Sequence, residues 1–331
     1  MKLYEKAHLV ILGAGASKSV DKNMPLMNNL IETCGLQEDI RHYDINPTEI
    51  VNFEEFYSKI YNDDSYARLI EIINDKIFNY FSKLELTDKP NAYDYLFLSL
   101  TKKDVIATFN WDPFLWQAAK RNHQVFPNDN PILLFLHGNV KAGHCYKCRI
   151  NGELGFLCSN CQKPMRKIPL LYPIGKKDYT ENQYIKDAWN RLHLAIEKSF
   201  ITTIYGYSAP KSDSEAMDVF LKLHNRKDHR EFAAIEVIDI KPKKELDKSW
   251  KKFWTLPQSM RNVTYTLSED CYFYPRQIED SLIYHYPRNT TRALFETRMQ
   301  QNPIELNSIP KFKVLAELQE WFKNRCKTNL K

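Results

Sequence analysis

The feature that most constrains this chain is a short apolar run that stops abruptly in polar residues. Asp104-Val-Ile-Ala-Thr108 leads into Phe109-Asn110-Trp111-Asp112. A brief apolar stretch of this kind, with no alternation, fits a strand buried on both faces, as in a parallel sheet. Asn110 and Asp112 then lie just past its carboxyl end, where open α/β sheets bind their ligands. Pro113 suits the first position of a following helix. About two dozen residues on, Ile132-Leu-Leu-Phe-Leu136 runs into His137-Gly138 in the same way. Two buried strands thus end in polar side chains able to meet over one crevice. The plainer alternative is that Asn110 and Asp112 only cap the helix at Pro113.

The same pattern recurs upstream and downstream. His8 to Leu12 reads as a first strand, and Gly13-Ala-Gly15-Ala-Ser17 as the turn after it. Glycines there let backbone approach a pyrophosphate at a helix N-terminus. Lys18 stands where a third glycine of GxGxxG belongs, and no acidic residue roughly 20 positions on is distinct, which disfavours a common dehydrogenase. From Val51 to Leu100 the periodicity is helical. Phe53, Phe56, Tyr57 and Ile60 share one face, and Leu69, Ile70, Ile73, Ile77, Phe78 and Phe81 another. These helices insert between the first strand and the Asn110 segment and wall the crevice. Leu86 to Asn91, with Pro90, is a turn. Ile168 to Ile174 is strand-like, and Tyr184 to Lys198 is an amphipathic helix. Phe200 to Tyr205 is a strand ending at Gly206, Asp213 sits near the start of a helix over Ser214–His224, and Ala233 to Ile240 is a last parallel strand containing Asp239. Strand, glycine turn, helix, strand is the repeat of a doubly wound sheet. Beyond about residue 243 the stretch KPKKELDKSWKK is basic and reads as a solvated face. Strand-like composition over Asn262–Tyr274 follows, then helices over Thr291–Gln300 and Lys311–Cys326, the latter with Val314, Leu315, Leu318, Trp321 and Phe322 on one side. This extension packs on the core or meets a partner.

Cysteine spacing adds a second constraint. Cys145 and Cys148 are two residues apart, as are Cys158 and Cys161, with nine residues between the pairs. Two such knuckles can wrap a tetrahedral Zn²⁺ through four thiolates. A redox pair is the alternative. Four cysteines close the coordination sphere, so the zinc is structural rather than catalytic, and His144 stands close enough in sequence to replace one ligand. Cys34, Cys271 and Cys326 are scattered, which fits a reducing compartment. The 331 residues suffice for one large domain or two. A net charge of +6 is too mild to argue for nucleic acid as a direct ligand. No apolar run reaches the roughly 18 residues of a membrane span, and the N-terminal apolar run lacks a cleavage pattern, so the expected location is the cytoplasm.

Taken in order, GAGAS, TFNWD, HG, the paired CxxC, YGYSAPKSD and VIDIKP resemble the sirtuin superfamily over about residues 8–242. The resemblance implies an α/β, Rossmann-like doubly wound parallel sheet with a helical insertion (about 44–100), a small zinc-binding module (about 143–163) and a C-terminal extension (243–331). It implies NAD+ as substrate. Gly13, Ala14, Gly15 and Ser17 would cradle the pyrophosphate and adjacent ribose. Asn110 and Asp112 would sit beside the nicotinamide ribose and carboxamide, and His137 would be the active-site histidine. Gly206 and Ser208 would lie under the adenosine half and Asp239 near the adenine ribose, with Thr108 also among the cofactor-binding residues. Phe109 and Trp111 replace the Gln and Ile of protein deacylases. The segment Leu170 to Tyr184 lacks the Phe-Gly-Glu run that clasps an acyl-lysine peptide. The wording is more similar to sirtuin-like NAD+ hydrolases of bacterial antiphage defence, which implies an activating protein partner or a homo-oligomer. A lysine deacylase and a non-catalytic NAD or nucleotide sensor are the other classes considered.

Overall fold

The computed structural model describes residues 7–172, 174, 179, 182–207, 234–250, 261–264 and 312–328. Ser208, Asp213, the Ser214–His224 segment, Cys271 and the Thr291–Gln300 segment lie outside the described residues. Six strands form one parallel sheet: β1 (Ala7–Leu12), β2 (Val105–Thr108), β3 (Ile132–Phe135), β7 (Ser199–Tyr205), β8 (Ala234–Ile238) and β9 (Arg261–Thr264). Strands β4 (Ala142–Cys145), β5 (Ile150–Glu153) and β6 (Arg166–Lys167) make a separate small antiparallel sheet.

The large sheet runs β3-β2-β1-β7-β8-β9. Chain direction across it therefore reverses at β1, and the crevice between the carboxyl ends of β1 and β7 is the topological switch point. All six residues of β1 and all four of β2 are buried, as the unbroken apolar runs predict. Register decides what meets at the edge. Leu12 pairs with both Thr108 and Tyr205, Thr108 with Phe135, and Tyr205 with Ile238. Gly13, Phe109, Leu136, Gly206 and Asp239 thus leave the sheet at one level.

Helices α1 (Ala14–Val20), α2 (Leu30–Thr33), α3 (Gln37–Arg41), α4 (Phe53–Tyr61), α5 (Ala67–Ser82) and α6 (Ala92–Ser99) lie between β1 and β2. Helical structure there begins well before Val51. The predicted faces hold: Phe53, Phe56, Tyr57 and Ile60 are buried on α4, and Leu69, Ile73, Ile77 and Phe81 on α5. Ile70 and Phe78 are only partly buried against the same core. Helix α7 (Phe114–Asn122) follows β2 with Pro113 at its N-cap rather than inside it. Helix α8 (Gln183–Lys198) buries Ile185, Ala188, Trp189, Leu192 and Ile196.

Two expectations need correction, at Ile168 and at Val314. The apolar run from Ile168 forms no strand among its described residues. Pro169 removes a ladder donor, and the Leu171 amide instead donates to the His137 carbonyl at 2.9 Å. The basic stretch after 242 does present a solvated face, with Lys244, Glu245 and Lys248 exposed, while helix α9 (Lys243–Ser249) buries Leu246 on its other side and Trp250 at its end is 1% exposed. Val314 precedes the C-terminal helix α10 (Leu315–Thr328) and is exposed, while Leu318 and Phe322 pack with Leu98 of α6. The extension also supplies β9, so it completes the main sheet and braces α6.

Candidate functional site

At the switch point two loops press together through backbone. The Gly13 amide donates to Tyr205 O, and the Gly15 amide to Gly206 O, both at 2.9 Å. Gly206 has φ +62°, and a Cβ there would lie 2.1 Å from the Ala16 nitrogen. A Cβ on Gly13 would lie 2.5 Å from Gly206 O. Left-handed backbone and this approach both require glycine. Part of the glycine signal in the sequence is therefore loop-to-loop packing. Helix α1 starts at Ala14, directly after the turn.

Asn110 clasps this turn. Its Nδ2 donates to Gly13 O and to Ser17 Oγ, each at 2.8 Å. Thr108 Oγ1 accepts from the Asn110 amide at 3.0 Å and fixes the backbone that aims the side chain. Ser17 Oγ donates to Asp112 Oδ2 at 2.6 Å, and Asp112 Oδ1 accepts from the Phe114 amide at 3.1 Å. Asp112 therefore holds the first amide of α7 from one position before its Pro113 N-cap, and Asn110 makes no bond to that helix. Burial pushes the Asp112 carboxyl up to about 6, against the hydrogen bonds from Ser17 and the backbone that lower it. Asn139 Nδ2 donates to the Asp112 carbonyl at 2.6 Å, tying the loop after β3 to the loop after β2.

His137 is placed differently. It is buried, its ring 4.9 Å from the Phe109 ring edge-on and 6.1 Å from the Tyr179 ring, stacked. Trp189 of α8 packs 4.2 Å from Tyr179 and donates from Nε1 to Leu136 O at 3.0 Å. Phe109 in turn stacks on Tyr207 at 4.5 Å. The structure joins Ser17, Asn110 and Asp112 in one hydrogen-bonded network beside Gly13. It sets His137 in an aromatic cluster, with Phe109, the neighbour of Asn110, as the link between the two. Asp239 leaves the carboxyl end of β8 and accepts from the Lys241 amide at 3.0 Å.

One network member escapes sequence reasoning. Tyr93 of α6 is fully buried, with its hydroxyl 2.8 Å from Ser17 Oγ and 3.4 Å from Asn110 Nδ2. Burial holds its phenol well above the usual range. Its sequence neighbours look like helix-capping residues, and Asn91 and Asp94 do form a capping box. Nothing local tells that Tyr93 reaches a strand end.

The four cysteines come together as the spacing predicts. Their Sγ atoms all lie within 4.8 Å of one another, and Cys145 Sγ is 3.5 Å from Cys161 Sγ. A tetrahedral zinc with Zn–S bonds of about 2.3 Å separates its sulfurs by about 3.8 Å, so the cluster fits that ion. Both knuckles make the same turn. Arg149 and Gln162, each just after the second cysteine, adopt φ +54° and +57°. Their amides donate back to Cys145 O and Cys158 O at 2.7 and 2.9 Å. Amide hydrogen bonds from Cys161 and Asn160 pull the Cys158 thiol down to about 7, toward the thiolate that a metal needs. His144 is not a member of the cluster: its Nδ1 lies 2.7 Å from Asn151 Oδ1.

No family model and no curated protein matches the sequence. Solved structures do resemble it. One described as a Sir2 homolog–NAD complex is similar at TM-score 0.41 and 13% identity, over 84% of this chain and 88% of that chain. One described as a structural basis for the mechanism and regulation of Sir2 enzymes gives TM-score 0.39 and 12% identity, over 85% and 94%. One described as a structural basis for sirtuin substrate affinity gives 0.35 and 14%, over 90% and 94%.

Proposed function

We propose that the chain is an NAD+ glycohydrolase of sirtuin-like type, cleaving the bond between nicotinamide and ribose to give nicotinamide and ADP-ribose. The observation that carries this reading is the clasp of Asn110 on the Gly13 turn at the switch point of the β3-β2-β1-β7-β8-β9 sheet. That crevice is where such sheets take a dinucleotide. The leaving nicotinamide is cationic and departs neutral, so the reaction needs no general acid. It needs a site that steadies an oxocarbenium-like ribose and places water. Asn110 is the residue to hold ribose or water through its amide, and Asp112 to meet the carboxamide. His137 is the residue to accept a ribose hydroxyl proton or orient the attacking water. Water adds to the ribose carbon, its proton passes to solvent by way of a base, and nicotinamide leaves with the bonding pair. Zinc, when bound by Cys145, Cys148, Cys158 and Cys161, holds the small sheet in shape.

Both Nδ2 protons of Asn110 and the Ser17 hydroxyl proton are taken up internally, and Phe109 stacks on Tyr207. We read this as a resting arrangement that a protein partner or a second copy opens; the role of NAD+-depleting effector in antiphage defence rests on the wording of TFNWD and GYSAPKSD. The test is product analysis after incubation with NAD+, with and without an acetyl-lysine peptide, on the purified chain and in cells overproducing it. Nicotinamide and ADP-ribose are expected without peptide. Asn110→Ala and His137→Ala should each lower turnover about 100-fold or more. Strict dependence on the peptide would mean a deacylase, and undiminished turnover in both variants would overturn the assignment.

A further inference from the structure

The order of donors at Ser17 follows from counting protons. Asn110 Nδ2 carries two, and they go to Gly13 O and Ser17 Oγ at 2.8 Å each. The single Ser17 proton goes to Asp112 Oδ2 at 2.6 Å. The remaining contact at Ser17 Oγ, 2.8 Å from the Tyr93 hydroxyl, must then be donated by Tyr93. Ser17 Oγ now accepts twice and gives once, and its capacity is filled. Tyr93 is the sole source of the third bond. Of the titratable side chains bonded in this network, only Tyr93 and Asp112 take part among the described residues.

The helix that carries Tyr93 is fixed from the same site. Asp94 is fully buried and pairs with Arg121 of α7, whose Nε donates to Asp94 Oδ1 at 2.6 Å. Asn122 Nδ2 donates to Asp94 Oδ1 at 2.7 Å, and the Asn91 amide to Oδ2 at 2.8 Å. Helix α7 starts at Phe114, whose amide donates to Asp112. From Asp112 along α7 to Asp94, across to Tyr93, through Ser17 and back to Asp112, the contacts form a closed ring. Gln319 of α10 joins it by donating to Asn122 Oδ1 at 3.0 Å.

We infer that Tyr93 is a positioning residue of the switch-point site: its hydroxyl donates to Ser17, sets Ser17 as donor to Asp112, and so holds Asn110 and Asp112 in working geometry. The inference deepens the NAD+ glycohydrolase reading. Tyr93→Phe removes only the hydroxyl. It should lower kcat about 10-fold, with KM within about 3-fold of wild type. Without the Tyr93 bond, the Ser17 proton is a weaker donor to Asp112. The Asp112 carboxylate is then less favoured, and the acid limb of the pH–rate profile should move to higher pH. A residue that merely fills space would leave that limb in place. A double-mutant cycle with Ser17→Ala adds a second readout. If Tyr93 acts through Ser17, the double variant is no worse than Ser17→Ala alone, and additive losses overturn the inference.

A ligand-free arm separates this inference from the reading it rests on. The stability difference between wild type and Asp112→Asn, followed against pH, titrates with the Asp112 carboxyl. In a Tyr93→Phe background its midpoint should rise. A raised midpoint with no NAD+ turnover by wild type, neither purified nor in cells overproducing it, would sink the glycohydrolase and leave the Tyr93 ring standing. Normal wild-type turnover with an unmoved midpoint and an unchanged Tyr93→Phe profile would sink the ring and leave the glycohydrolase.

Discussion

Replacing Asp112 by Asn should stabilise the protein above pH 7 and destabilise it near pH 4. Burial raises the Asp112 carboxyl from 3.8 to about 6 in the folded chain. For an acid with a raised folded pKa, the native state holds its proton more tightly than the unfolded chain does. Stability from this group is therefore highest below pH 4 and falls as pH rises through about 6. Each pKa unit is worth about 1.4 kcal/mol, so the carboxylate costs the native state about 3 kcal/mol above that range. Asparagine removes the cost. It also forfeits one of two bonds, because a single Oδ1 cannot serve both Ser17 Oγ and the Phe114 amide as the carboxylate does. That loss is about 1 kcal/mol. The net expectation is a gain of about 2 kcal/mol at pH 8 and a loss of about 1 kcal/mol at pH 4. Wild type alone would hide the effect. His8, buried on β1 beside Thr203, has its pKa lowered by burial from 6.5 to about 4. A base with a lowered folded pKa loses stability as pH falls through the same interval, with the opposite sign. The measurement is thus the difference between the two proteins in urea unfolding at several pH values, where His8 cancels. An Asp112→Asn variant less stable than wild type by the same amount at every pH would refute the burial account.

Two further outcomes test the frame around the site. Gly206→Ala puts a Cβ 2.1 Å from the Ala16 nitrogen at φ +62°, so it should cost about 3 kcal/mol or more and abolish nucleotide binding, measured by thermal melting and calorimetry. A variant that melts with wild type would show that the two loops do not pack as described. Elemental analysis should find one zinc per chain; Cys158→Ser should lose it and expose the β4–β6 sheet to proteolysis, whereas the Asn110 network, on the other sheet, should keep its pH titration.

Much of the fold was legible because buried parallel strands need no partner to betray themselves. Val105–Ala107 and Ile132–Phe135 run apolar without alternation, β2 because both its faces are covered, and β3, at the sheet edge, with Leu134 and Phe135 buried and Ile132 and Leu133 half-buried; polar residues gather where each strand ends. Helix faces on α4, α5 and α8 repeat at the spacing that burial of one side imposes. The cysteine pairs declare a four-sulfur cluster because each knuckle is a local turn. Run length misled at Ile168, where a backbone bond from Leu171 to His137 outweighs strand propensity. The resemblance in motif order placed Ser17, Asn110 and Asp112 at one edge, but not who donates to whom.

Local sequence thus determined the strands, their polar ends and the metal knuckles, because each depends on neighbours within a few positions. Folding alone decided that β7 lies against β1, that α9 and β9 complete the core, that Asn110 turns its amide onto the Gly13 loop, and that Tyr93 reaches Ser17 across 76 positions. Those contacts depend on strand order and register. They pair groups far apart in the chain, and no residue type announces in advance which distant partner will fill its last hydrogen bond.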